Sequence, residues 1–229
     1  NSDNRISAEV ELQLNEKAEP GYCYLRKTRE AHSEIQFFTQ LANKKIDLVL
    51  MFFGFSGIHG MFQGICELYG IPFAGPGIRS SILTAVPELC RIYAVGRGLR
   101  VRNSPAASRK HEDVWRFLVY RGKSGSGVKL LSGTGEVGTD CMYEMQEAAR
   151  SGFAYFGLTG IAEIVIHKSG NSIYFSDIHS FPDIYPGSMV YEKLIEDGWS
   201  SPQIVRFVID SALSAFESAE LQKQKWTVY

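Results

Sequence analysis

Asp177 and His179 stand two residues apart at the end of the apolar run Ile173–Ile178. Alternate side chains of a strand point to one face, and a carboxylate and an imidazole at that spacing can share one divalent metal ion. The same spacing suits two polar residues on a solvent-facing cleft wall, and magnesium's preference for oxygen over imidazole favours that plainer reading. Lys123-Ser124-Gly125-Ser126-Gly127 has the composition of a phosphate cradle. A short Gly/Ser run between strands is equally the commonest material of a hairpin turn. Ser188 and Met189 follow a loop containing Pro182, Pro186 and Gly187, which would hang them over the Asp177 face. No nucleophilic triad can be composed, because none of His32, His59, His111, His167 and His179 has a Ser or Cys in a recognisable elbow.

These residues need a scaffold. Ile161–His167 and Ile173–Ile178 are rich in β-branched and aromatic residues and are joined by Lys168-Ser169-Gly170-Asn171, so they predict a β-hairpin. Phe117 to Leu131 predicts a strand, a Gly/Ser loop and a second strand. Ile46 to Phe53 is a nearly continuous apolar run that suits a central parallel strand. Gly54-Phe55-Ser56-Gly57 then turns the chain into a helix whose buried face is expected at Ile58, Met61, Phe62, Ile65, Leu68 and Tyr69. Gly70 ends that helix and Ile71 to Gly75 is the next strand, which completes a β-α-β unit.

Helices are also expected over Pro87–Gly96 and Cys141–Gly152, and from Ser200 or Ser201 onward with Pro202 in the first turn. The last has a stripe of Val205, Val208, Ile209, Ala212, Leu213 and Phe216 and turns polar beyond Glu217, where fraying is expected. Val10–Leu14 and Tyr22–Leu25 could be strands, His32–Asn43 an amphipathic helix through Ile35, Phe38 and Leu41, and Arg100–Arg116 a polar linker.

A chain of 229 residues with 45% hydrophobic and 21% charged residues can bury a sizeable core as one large domain or two small ones. Its net charge of −1, with Lys and Arg dispersed, gives no nucleic-acid footprint and points to no partner class. Cys23, Cys66, Cys90 and Cys141 lack CxxC spacing and lie in or beside apolar stretches. They read as reduced, buried thiols of an intracellular, reducing compartment, cytoplasm or organelle interior. No apolar run approaches about 18 residues, so no membrane span is expected. The opening NSDNRISAEVELQ has no signal-peptide pattern.

Two stretches resemble the D-alanine:D-alanine ligases of the ATP-grasp class. Over 47 to 101, Gly54, Gly57, Gly60, Gln63, Gly64, Glu67, Gly70, Ile71, Pro72, Gly75, Gly77 and Ser81 agree with the family in register. Over 150 to 215, Gly157, Gly160, Ile178, Pro182, Ser188 and Met189 agree, and 117 to 131 agrees weakly. The positions that carry the family's chemistry are different here. The resemblance places Glu163 where the family has its oxyanion-binding Arg, Val165 at its first metal-binding Asp, and Asp177 at its metal-binding Glu. It also places His179 at the family's last Asn, Tyr120 at its phosphate-contacting lysine, and Ala85-Val86-Pro87 at the Met-Asp-Lys that brings a second one. The long central nucleotide-binding segment is largely missing.

The fold expected is therefore α/β, with a Rossmann-like (pre-ATP-grasp) half over 1–101 and a reduced ATP-grasp half over 102–229. The function expected is that of a non-catalytic relative, a structural or binding subunit among other protein subunits, with no cofactor. Were it an enzyme, the resemblance implies Mg-ATP and an acyl phosphate. The nucleotide would then meet Lys123, Ser124, Gly125 and Ser126, the metal Asp177 and His179, and the substrate Ser188 and Met189. A third reading is a small-ligand module without turnover.

Overall fold

The computed structural model describes residues 47–50, 60–101, 113–122 and 125–225. The expected strands at Val10–Leu14 and Tyr22–Leu25, the helix His32–Asn43, the turn Gly54–Gly57, most of the linker, and Lys123 and Ser124 lie outside them.

Val49 bridges Phe73 in parallel, with Val49 N donating to Pro72 O (2.9 Å) and Ala74 N to Val49 O (2.9 Å). The helix α1 (Met61–Tyr69) lies between these two segments in the chain, as the β-α-β reading requires. Its buried residues are Phe62, Gln63 and Cys66, whereas Met61, Leu68 and Tyr69 are exposed, Leu68 to 79%. The expected apolar stripe is thus rotated. Gly70 ends the helix in the left-handed region at φ 64°, as a C-terminal glycine does.

Two further helices follow, α2 (Ile78–Ala85) and α3 (Pro87–Gly96). Gly77, at the N-cap of α2, has no side chain to offer, and Glu67 of α1 takes its place, accepting from Ile78 N at 2.8 Å. A Cβ at Gly77 would stand 2.9 Å from that carboxylate oxygen, so the glycine leaves it room. Ser80 donates to Phe156 O at 2.7 Å, and Thr84 Oγ1 shares a 2.9 Å bond with Ser180 Oγ, which ties α2 to the second half of the chain.

The sheet is four-stranded and antiparallel in the order β2-β1-β3-β4, from β1 (Asp113–Gly122), β2 (Gly125–Gly133), β3 (Gly160–Ser169) and β4 (Ser172–His179). Its β1 begins at Asp113, inside the stretch expected to be linker. One face of the sheet presents Trp115, Phe117, Val119, Ala162, Ile164 and Ile166 to Met145, Ala149 and Phe153 of α4 (Thr139–Tyr155) and to Cys90 and Ala94 of α3. This core therefore draws on residues from both sides of position 101, and Val101 bridges Phe175 in parallel.

The other face carries Leu118 and Ile161 under Val190 and Leu194 of α5 (Met189–Glu196) and under Ile204, Phe207, Val208 and Ala212 of α6 (Ser201–Lys225). The stripe on α6 is one position off the expected one and the helix runs past Glu217. Among the described residues no helix is long and apolar enough to cross a membrane.

Candidate functional site

The second face of the sheet is where the expected site residues gather. Register places Arg116, Val165 and Asp177 in one row across β1, β3 and β4, and Leu118, Glu163 and His179 in the next. Ile166 pairs with Phe175 but Val165 pairs with Asp177, so Ser176 is an extra residue, a β-bulge. The bulge lets Phe175 and Ile178, three apart, both reach the core on the first face. Asp177 and His179 follow it and share a face, as alternation predicts.

Glu163, 14% exposed at its side chain, is ion-paired with Arg116 of the neighbouring strand. Lys129, opposite Leu118 on β2, pairs with Asp197 at 3.4 Å. Among the described residues, Arg116 and Lys129 on this face are thus each engaged by a carboxylate of the chain itself. Sequence reading missed them, Arg116 because it lies in the presumed linker and Lys129 because its partner is 68 residues away only in sequence.

Asp177 and His179 bring one carboxylate and one imidazole, a poor donor set for magnesium. Val165, between Asp177 and Arg116 in the row, offers no oxygen, Glu163 is held by Arg116, and His179 offers nitrogen where the ion wants oxygen. Asp177 Oδ1 accepts from the N–H of Ile178 at 2.8 Å. Among the described residues no group of three or more His, Cys, Asp or Glu could hold a metal.

Tyr120 is packed edge-on against Trp199 (5.5 Å between centroids) and Phe207 (5.7 Å). It also lies across its cross-strand partner Gly127, where an added Cβ would come 2.5 Å from the phenol oxygen. Of the described residues of the supposed cradle, Gly125 and Ser126 are exposed and paired with Gly122 and Arg121 in the β1–β2 ladder.

Ser188 is 8% exposed and is the N-cap of α5. Its hydroxyl accepts from Tyr191 N and Tyr185 N, both at 3.3 Å, and donates to Asp183 O at 2.8 Å. A hydroxyl has one proton and two lone pairs, so all its capacity is used inside the loop. Met189 is 54% exposed.

A cavity of about 30 Å³ opens beside Gly75, Gly160, Phe181, Val208 and Ser211. A nucleotide or drug-sized ligand needs roughly ten times that or more. Its shape depends on Gly75, at φ 120°, because the Phe181 ring comes within 1.9 Å of where a Cβ would be.

No family profile matches the sequence, and no curated protein matches it. Solved structures do. The D-alanine–D-alanine ligase of Bacillus anthracis superposes with a TM-score of 0.69 at 12% identity, over 96% of this chain and 96% of that one. The D-alanine–D-alanine ligase of Coxiella burnetii gives 0.66 at 15% identity, over 80% of this chain and 72% of that one. That of Aeromonas hydrophila gives 0.61 at 17%, over 72% and 73%. At such identities the likeness speaks for the fold, which is α/β and that of the ATP-grasp D-alanine–D-alanine ligases.

Proposed function

We propose that this chain is a non-catalytic protein of ligase fold that acts as a binding or structural subunit, with other protein subunits as its partners and no cofactor of its own. The observation that carries this reading is Glu163 paired with Arg116. By the resemblance, Glu163 stands where the ligases place an arginine against developing negative charge. A donor so placed lowers a barrier by on the order of 3 kcal/mol, and a carboxylate opposes the same charge. The pair with Arg116 holds Glu163 in that position and leaves this guanidinium no surplus charge. Tyr120, packed between Trp199 and Phe207 at the position of the phosphate-contacting lysine, supports the same reading.

Within it, residues 1–101 form the Rossmann-like half and 102–229 the reduced ATP-grasp half. The test is titration calorimetry of the full chain with Mg-ATP, followed by an assay for ADP release with D-amino acids. The reading expects no saturable heat at sub-millimolar nucleotide and no ADP. Clear binding with turnover that Asp177→Ala abolishes would replace it with a diverged ligase.

A further inference from the structure

Arg79 of α2 and Arg97, just past α3, close on one phenol. Arg79 Nη2 donates to Tyr93 Oη at 2.7 Å and Arg97 Nη2 donates to it at 2.9 Å. The same oxygen donates its proton to Tyr155 O at 3.1 Å. A phenol offers one proton and accommodates two donors, so the Tyr93 oxygen is saturated and fixes both guanidinium groups. Both also lie over the Tyr93 ring, 5.7 Å and 5.1 Å from its centroid. Tyr93 itself packs edge-on against the buried Phe156, at 5.0 Å between centroids, so this pedestal is anchored in the core.

Each guanidinium has five N–H donors and uses one on the phenol. Neither arginine is ion-paired to a carboxylate of the described residues. The C-terminus of α4, whose last carbonyl takes the Tyr93 proton, and that of α3, which Arg97 caps, each supply only about half a negative charge, and the N-terminus of α2, where Arg79 sits, returns about half a positive one. Among the described residues about one and a half positive charges remain, held side by side with most of their donors unused by those residues. A carboxylate brings one negative charge, whereas a phosphate monoester brings about −1.5 to −2 near neutral pH and three acceptor oxygens.

We propose that Arg79 and Arg97, seated on Tyr93, form a binding site for the dianion of a phosphate monoester. Tyr93 packs against the core under the first face of the sheet, so this site lies on the opposite side from Arg116 and Glu163 and does not depend on whether the protein binds Mg-ATP. A free phosphorylated metabolite and a phosphorylated side chain of a partner share the chemistry.

The test is an NMR titration of the full chain that follows the side-chain Nε–Hε signals of Arg79 and Arg97. The probes are inorganic phosphate and a phosphoserine tripeptide, with sodium acetate at matched ionic strength as the control. Saturable shifts of both signals with phosphate and not with acetate are expected. Arg79→Gln and Arg97→Gln should each weaken the affinity about tenfold, the cost of one charge-assisted contact. Tyr93→Phe, which keeps the ring and removes the oxygen, should weaken it as well. Tighter binding of the tripeptide than of phosphate would assign the site to a partner's side chain, and equal or weaker binding to a free ligand. Shifts that acetate reproduces, or variants with unchanged thermal unfolding that titrate as the parent does, would overturn the proposal.

Discussion

Tyr120 lies across Gly127, its partner on the adjacent strand, so closely that no side chain fits at position 127 while the ring stays in place. The ring also joins Trp199 and Phe207, which are themselves 5.4 Å apart, in an aromatic cluster between the sheet and α6. Gly127→Val should displace Tyr120 and cost about 1–3 kcal/mol in urea unfolding, as overpacking does. Tyr120→Lys, which writes the ligase residue back, should cost about 3 kcal/mol by emptying the aromatic cluster and should gain no affinity for ATP. A stable Tyr120→Lys variant that binds Mg-ATP would show that the rest of the nucleotide site is intact.

The Arg116–Glu163 pair predicts an asymmetric double-mutant cycle. Glu163 is the more covered partner, at 14% side-chain exposure against 38% for Arg116. Arg116→Met leaves a largely covered carboxylate alone and should cost more than Glu163→Gln, which leaves a guanidinium that can turn to water. With one partner more than a third exposed, a coupling of only about 1 kcal/mol is expected. Equal single-variant costs and no coupling in urea unfolding would mean that the pair is loose.

Ser188 separates a structural from a ligand-binding role. Losing the cap and the two loop bonds in Ser188→Ala should cost about 1–2 kcal/mol, while Met189→Ala at an exposed position should stay within about 0.5 kcal/mol. Thermal unfolding of the two variants checks both values. A Ser188→Ala protein as stable as the parent would free that hydroxyl for another task.

How much of this was legible in the sequence varied with the range of the signal. The β3–β4 hairpin was readable because its β-branched runs and turn are local. Its bulge at Ser176 was not, since an extra residue is defined only against the partner strand. Arg116 and Asp113 looked like linker because their polar side chains break the apolar run of β1.

The helix α2 escaped notice because its buried residues are Ser80, Ser81 and Thr84, held by hydrogen bonds and not by an apolar stripe. On α1 the apolar periodicity covered a wider arc than the core does, and Leu68 fell outside it. Asp177 and His179 could be placed on one face from spacing alone. What stands beside them, Arg116 on Glu163, joins residues 47 apart in sequence and needed the register.

The thiols of Cys66 and Cys90 give a pH dependence with a definite sign. Burial pushes both up to about 12 from an ordinary 9.0, helped by the Glu67 carboxylate at Cys66 and by Asp177 at Cys90, with Arg91 opposing at the latter. Below about pH 9 both thiols keep their protons in the folded and the unfolded chain, so their contribution to stability is fully present. Between about 9 and about 12 the unfolded chain ionises them while the folded chain does not, and unfolding then releases protons. Stability must fall across that window, by up to about 1.4 kcal/mol per pH unit for each thiol. Lysine and tyrosine ionise in the same range, so the informative quantity is the difference from Cys66→Ala/Cys90→Ala. That variant starts lower, because two buried side chains are cut back, and its stability should decline less steeply above pH 9. Parallel declines in urea unfolding between pH 8.5 and pH 10.5, on the order of two units, would show that neither thiol is shifted.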